Sequence, residues 1–131
     1  MCQVLMIERV ASLCGWVRTT FAQHGCKVTR VLHVKQAEIA LNQCHFDLVL
    51  IASENTALCL PDIKVLRHQT VAPMIALLPP ESEFDDASLY QCGVDKCVSN
   101  SIDRTSLWEA AQSVLSQPAE VKLKSTIVRK D

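Results

Sequence analysis

Five short runs of aliphatic residues, separated by longer segments with helical spacing, constrain the fold of this 131-residue chain more than any other feature. The first, third and fourth runs are nearly continuous in apolar residues, a pattern typical of parallel strands that are covered on both faces. We therefore predict five β-strands. They are Val4 to Ile7, Val28 to Val34, Leu48 to Ile51, Met74 to Leu78, and Cys97 to Val98.

The segments between these runs repeat apolar residues every three or four positions, as amphipathic helices do. Gly25 and Gly93 follow two of them, at the position where many helices end in a left-handed residue. Strand and helix alternate five times, which predicts an α/β fold: a doubly wound, five-stranded parallel sheet with helices on both faces. The predicted helices are Ser12 to His24, Gln36 to Gln43, a helix starting near Pro61, Asp85 to Cys92, and Ser106 to Ser116.

The length predicts one domain, which we place over residues 1–117. Helical periodicity is lost from residue 118 onward. Residues 118–131 are therefore interpreted as a linker or as the start of a further C-terminal domain.

Charge and cysteine usage narrow the function classes. Thirteen Lys and Arg against fourteen Asp and Glu give a net charge of -1. This balance argues against non-specific electrostatic binding to nucleic acid or to an anionic membrane. The seven cysteines show no disulfide-framework spacing and no C-x-x-C, and no signal peptide precedes them. We interpret them as reduced thiols of a cytoplasmic protein and expect no metal and no cofactor. An enzyme is not expected, because there is neither a phosphate-cradling glycine loop nor a glycine-flanked nucleophilic serine.

Four segments resemble the receiver domains of two-component response regulators, which have the CheY-like, flavodoxin-like fold. QVLMIE resembles the acidic run after that family's first strand, FDLVLIAS its phosphoacceptor strand, APMIALLP its fourth strand and QCGVDKCVSNSID its fifth. The resemblance covers residues 3–117 and implies a signalling domain whose site lies at the carboxyl ends of the strands. Because a fold does not assign a function, the individual residues must be compared.

The residues that carry phosphorylation in this family are replaced here. The phosphoacceptor aspartate falls on Ala52, whose methyl group is not a nucleophile. The adjacent carboxylates that bind Mg²⁺ fall on Glu8 and Arg9, so one acid remains beside a cation that repels the metal. The family's hydroxyl residue falls on Leu78, and its phosphate-binding lysine falls on Asn100. We therefore interpret the domain as an atypical pseudo-receiver that acts without phosphorylation.

The altered pocket suggests an internal ion pair. Glu54 lies two residues past Ala52, on the loop that rims the same crevice. Arg9 beside Glu8 and Glu54 would then occupy the volume of metal and phosphate and fix one conformation. The alternative is that Arg9 and Glu54 point into water, where such a pair contributes about 0 to 1 kcal/mol. Cys97 stands at the position of the family's switch aromatic.

Receivers of this family commonly dimerise or meet partners through their fourth helix, fifth strand and fifth helix. We expect a homodimer, or contact with a regulatory protein, through the same region here, although solvated surface is the default for charged residues. The candidate residues are Tyr90, Lys96, Asp103, Arg104, Trp108 and Glu109.

The resemblance thus implies a regulatory module that controls a C-terminal DNA-binding output domain lying beyond this chain. DNA would be contacted only through that domain. The alternatives are a stand-alone protein-interaction adaptor, a redox sensor that uses Cys92 and Cys97, and the receiver module of a hybrid histidine kinase.

Overall fold

The predicted sheet is present in the computed structural model, which describes residues 2–8, 11–52, 60–78, 86–99 and 103–115. The elements are β1 (Cys2–Ile7), α1 (Ala11–Ala22), β2 (Cys26–Val31), α2 (Val34–Gln43), β3 (Leu48–Ala52), α3 (Leu60–Gln69), β4 (Met74–Leu78), α4 (Asp86–Cys92), β5 (Lys96–Ser99) and α5 (Arg104–Leu115). The strands are all parallel and lie in the order β2-β1-β3-β4-β5, which confirms the predicted fold class. Within the described ranges, no helix has the length and apolar character needed to cross a membrane. The predicted boundary at residue 117 and residues 118–131 lie outside these ranges.

The central strands are covered on both faces. Every residue of β3 and β4 is buried, as are the last four residues of β1. β2 and β5 form the two edges of the sheet and are partly exposed. The continuous apolar runs therefore belong to the strands that helices cover from both sides.

Alternate side chains of the strands enter two separate cores. Leu5, Val49 and Ala76 pack with Ala37 of α2 and Leu66 of α3 in what we call the α2–α4 core. The residues next to them along the strands face the opposite side and form the α1/α5 core. Its largest contributors are Met6, Leu50, Leu77, Phe21 and Leu107.

The boundaries of β2 differ from the prediction. A strand over Val28 to Val34 was expected, whereas β2 is Cys26–Val31. The side-chain Oε1 of Gln36 accepts hydrogen bonds from the backbone N–H groups of Leu32 (2.7 Å) and His33 (3.3 Å). Because these donors are bound to a side chain, the backbone turns after β2 and the next helix begins at once.

Arg67 joins three segments at the amino ends of β4 and β5, which we call the amino edge. Its guanidinium donates hydrogen bonds to the backbone carbonyls of Thr70 (2.7 Å), Ala72 (2.6 Å) and Gly93 (3.1 Å). It also forms an ion pair with Asp95 at 3.3 Å. Burial lowers the pKa of Arg67, and the Asp95 carboxylate opposes that shift. These bonds connect the end of α3 to the turns before β4 and β5.

Asp95 sets the pairing of the two strands that follow. Its backbone N–H donates to the carbonyl of Met74 (2.8 Å), and its Oδ2 accepts from the Met74 N–H (2.8 Å). The strands then continue in register, with Ile75 opposite Lys96. The carboxylate held by Arg67 thus aligns β5 on β4.

Two glycines give a matched stability test. Gly93 has a φ of 113°, and a methyl group there would overlap the side chain of Arg67. We expect Gly93→Ala to lower the free energy of unfolding by about 2 kcal/mol or more. Gly15 in α1 has open space at the corresponding position, so Gly15→Ala should raise that free energy by about 0.5 to 1 kcal/mol. Urea denaturation of both variants checks the pair, and equal effects would contradict the assigned role of Gly93.

Candidate functional site

The carboxyl ends of four strands meet at one edge of the sheet, which we call the carboxyl edge. Ile7 lies opposite Ile51, Ala52 opposite Leu77, and Leu78 opposite Ser99. The strand order reverses between β1 and β3, and open parallel sheets bind ligands in the crevice at such a point. The structure therefore brings Glu8, after β1, and the last residues of β3 and β4 to the predicted location.

Glu8 brings a carboxylate to this edge. Only 2% of its surface is exposed, which is rare for a carboxylate. Its backbone N–H donates to the carbonyl of Val31 (3.0 Å), and its own carbonyl accepts from Nε of Arg30 (2.9 Å). β2 thus holds the backbone of Glu8 while the side chain is withdrawn from solvent.

Arg30 is a residue that the sequence analysis did not assign to the site. It lies in the edge strand β2, opposite Met6, and its guanidinium group reaches the backbone of Glu8. In the sequence, Arg30 is recognisable only as a basic residue in the second predicted strand. Only the adjacency of β2 and β1, which depends on the strand order, directs it toward Glu8.

Ala52 and Leu78 place hydrocarbon side chains at the same edge, on opposite faces of the sheet. Ala52 is 4% exposed and packs in the α1/α5 core, whereas Leu78 is 7% exposed and packs in the α2–α4 core. Neither side chain has a nucleophilic atom or a hydrogen-bond donor. At these two positions the edge can neither accept a phosphoryl group nor hold one.

The described residues do not fit a magnesium ion. Mg²⁺ requires near-octahedral oxygen coordination, commonly with one or two carboxylates, whereas β3 and β4 end in the aliphatic side chains of Ala52 and Leu78. Among the described residues, no group of three or more His, Cys, Asp or Glu side chains is placed to hold a metal ion. Arg9, Glu54 and Asn100 lie outside the described residues, so the internal ion pair stays a prediction.

α4, β5 and α5 are joined by side chains from the predicted partner face. The hydroxyl of Tyr90 in α4 accepts a hydrogen bond from the backbone N–H of Cys97 in β5 (3.3 Å). Nζ of Lys96 in β5 donates to Oγ of Ser113 in α5 (3.2 Å). Cys97 is partly buried against the α2–α4 core, so the switch position carries a small side chain and the ring nearby comes from α4.

Trp108 faces a different neighbour. Its ring makes an edge-to-face contact with Phe21 of α1, with centroids 5.9 Å apart. It also stacks on the ring of His24 at 3.9 Å and an interplanar angle of 5°. Trp108 thus connects α5 to α1, whereas Tyr90 connects α4 to β5 and Lys96 connects β5 to α5.

The remaining candidates lie at or near the start of α5. Arg104 and Glu109 are exposed. Oδ1 of Asp103 accepts a hydrogen bond from the backbone N–H of Ser106 (2.7 Å), so Asp103 caps the helix. Hydrogen bonding from Ser106 lowers the pKa of Asp103. Whatever surface role Asp103 has, it also stabilises α5.

Comparisons with known proteins identify the fold. No family model matches the sequence, and no curated protein matches it. A two-component response regulator from Clostridium difficile superposes with a TM-score of 0.80 and 13% identity, covering 89% of this chain and 98% of that one. The N-terminal domain of the nisin resistance regulator NsrR gives 0.76 and 15%, covering 88% and 98%.

A third structure comes from a histidine kinase. The receiver domain of sensor histidine kinase PA1611 from Pseudomonas aeruginosa, with magnesium in its active-site cleft, gives a TM-score of 0.73 and 18% identity, covering 88% of this chain and 98% of that one. At these identities the likeness establishes the fold. The chain has the CheY-like fold of receiver domains, and the predicted resemblance is confirmed at that level.

Asp103 provides a pH test of the α5 cap. Its folded-state pKa is lowered, so the stability it contributes is present above its unfolded pKa and is lost as pH falls through the folded pKa. We expect Asp103→Ala to lower the melting temperature by a few degrees at neutral pH, with the deficit shrinking below about pH 4. Asp103→Asn, which caps without titrating, is the control and should stay near wild type at neutral pH. A deficit for the alanine variant that is constant down to acid pH would contradict this role.

Proposed function

We propose that this chain is a phosphorylation-independent receiver domain of a two-component-type response regulator. The observation that carries the proposal is the carboxyl edge itself. A receiver fold is kept around a buried Glu8, but the positions where the family places its phosphoacceptor and hydroxyl residues are Ala52 and Leu78, which belong to the two cores.

Phosphoryl transfer to a side chain needs a nucleophile, charge neutralisation and donors for the phosphoryl oxygens. Of the corresponding positions, Glu8 alone retains an acid, since Arg9 replaces its partner and Asn100 replaces the lysine. Restoring one group would leave the others absent. Loss of the nucleophile, metal ligands and phosphate donors together supports a domain that does not use this chemistry.

Without a phosphate, the conformation must be set by other contacts. The Tyr90 hydroxyl holds α4 against the backbone of Cys97, and Lys96 links β5 to α5. Cys97 has no ring that can rotate between two positions, as the family's switch aromatic does. We propose that α4, β5 and α5 stay in one arrangement and present a constant surface for dimerisation or for a regulatory protein.

The proposed output is a DNA-binding domain that follows this chain. NsrR supports an N-terminal position for this domain, because a domain of the same fold is the N-terminal part of that regulator. A second candidate, the receiver module of a hybrid histidine kinase, is favoured by the similarity to the receiver domain of PA1611. The sequence of the natural protein beyond residue 131 distinguishes the two, because a helix-turn-helix segment supports the first alone.

A phosphodonor tests the proposal directly. We expect incubation with acetyl phosphate and Mg²⁺ to leave the intact mass unchanged, because Ala52 offers no carboxylate to phosphorylate. An active receiver treated in parallel controls for the donor. Ala52→Asp controls for the missing nucleophile and should form at most a small fraction of adduct, since Leu78 still lacks a donor. A hydroxylamine-sensitive adduct on the wild-type chain would contradict the proposal.

The proposed dimer is tested by sedimentation across a concentration series. If α4, β5 and α5 form the contact, Lys96→Glu should weaken self-association by about tenfold or more through charge repulsion. Lys35→Glu, an equal charge change on the exposed surface of α2, should leave self-association unaltered. A chain that stays monomeric at high concentration, or equal effects of the two variants, would contradict dimerisation through this face.

A further inference from the structure

Two cysteines that lie far apart in the sequence face each other on neighbouring strands. Cys2 begins β1 and Cys26 begins β2, and the parallel register pairs these two residues directly. Both side chains pack against the α1/α5 core, Cys26 buried and Cys2 partly buried. The thiol of Cys26 also lies within 3.9 Å of the backbone carbonyl of His24, to which it donates.

This arrangement meets the geometric needs of a disulfide. Neighbouring strands are about 4.8 Å apart, and a disulfide spans Cα separations of about 4.4 to 6.8 Å. Paired residues of parallel strands project to the same face of the sheet, and both side chains here pack against the same core. Spacing in the sequence does not predict this pair, whereas the strand register places the two residues opposite each other.

We propose that Cys2 and Cys26 form a reversible dithiol–disulfide site, oxidised by thiol exchange with a low-molecular-weight disulfide. This goes beyond the proposed receiver function and does not depend on it. The sequence analysis named Cys92 and Cys97 as the residues of a redox sensor. The pairing of β1 with β2 favours Cys2 and Cys26 instead.

The exchange is balanced in two steps. The thiolate of one cysteine attacks the small disulfide, forming a mixed disulfide and releasing one small thiolate, which takes the proton of the second cysteine. The second thiolate then attacks the first cysteine's sulfur and expels the other small thiolate, which takes up the proton that the first cysteine released to solvent. The protein loses two protons and two electrons, and the small disulfide is reduced to two thiols.

The environment of Cys2 makes this exchange slow near neutral pH. Burial, together with the neighbouring Cys26 thiol, raises the pKa of Cys2 to about 12. Since the thiolate is the reacting species, the dithiol is oxidised slowly near neutral pH. The rate of disulfide formation should rise steadily with pH through the alkaline range. A disulfide here would tie the edge strand β2 to β1 at the end opposite Glu8.

Trypsin separates the two cysteines cleanly. Cleavage after Arg9, Arg18 and Lys27 gives peptides 1–9 and 19–27, each with one cysteine, while Cys14 falls in peptide 10–18. The folded full chain is equilibrated in mixtures of reduced and oxidised glutathione, quenched with acid, alkylated and digested without reductant. We expect peptides 1–9 and 19–27 to be linked as the main oxidised species, in a protein that remains a monomer on a denaturing non-reducing gel. Full alkylation of both residues across the series, or glutathione on Cys2 alone, would overturn the proposal.

Variants and a second readout complete the test. Cys2→Ser should lower the oxidised fraction of Cys26 by about tenfold or more, because closure is no longer intramolecular. Cys44→Ser, at an exposed cysteine after α2, should leave the linked peptides unchanged. Oxidation should raise the melting temperature of wild type by about 5 to 10 °C and leave Cys2→Ser unaltered. Equal oxidation of Cys26 in wild type and Cys2→Ser would overturn the pairing. The buried Cys26 is kept in both measurements, so the test does not depend on the folding of a Cys26 variant.

Discussion

The structure depends on burying the central strands on both faces. Backbone donors and acceptors of β3 and β4 lie where water does not reach, so they must be satisfied by pairing with neighbouring strands. Parallel pairing in turn brings the carboxyl ends of β1, β3 and β4 to one edge and their amino ends to the other. The carboxyl edge carries the candidate site. At the amino edge, Arg67 and Asp95 fasten the turns that start β4 and β5, so the position of the site follows from contacts at the opposite end of the sheet.

The same constraint accounts for the apolar residues at the carboxyl ends of β3 and β4. Acidic side chains clustered in a crevice repel one another and lose hydration, so replacing buried charges by apolar groups is often neutral or stabilising. Ala52 and Leu78 simply extend the two cores to the carboxyl edge. Glu8, whose backbone is held by Val31 and Arg30, remains in place within this apolar setting. An apolar carboxyl edge is therefore compatible with this architecture, which agrees with the general separation of fold from function.

The two edge strands are where a parallel sheet remains open to new contacts. At β5, the Tyr90 hydroxyl takes up the backbone N–H of Cys97, and Lys96 reaches α5. At β2, Arg30 reaches the backbone of Glu8, and Cys26 meets Cys2. The proposed partner surface and the proposed redox site thus lie at opposite edges of one sheet. Three strands, β1, β3 and β4, separate the two edge strands.

Local patterns in the sequence determined the order of the elements, the central strands and the chemistry of the side chains at the carboxyl ends of β3 and β4. These are properties of short segments: apolar continuity marks strands covered on both faces, and Ala52 lacks a nucleophile in any fold. Only the tertiary structure decided five other features. They are the end of β2, the contact of Trp108 with α1, the hydrogen bonds of Arg67, the hydrogen bond from Arg30 to Glu8 and the pairing of Cys2 with Cys26. All but the first of these join residues that are distant in the chain, and the strand order and register that bring them together are set by the packing of the whole sheet rather than by any local pattern. The end of β2 depends on one Gln36 side chain competing with strand pairing for two backbone donors, a contest whose outcome residue spacing does not reveal.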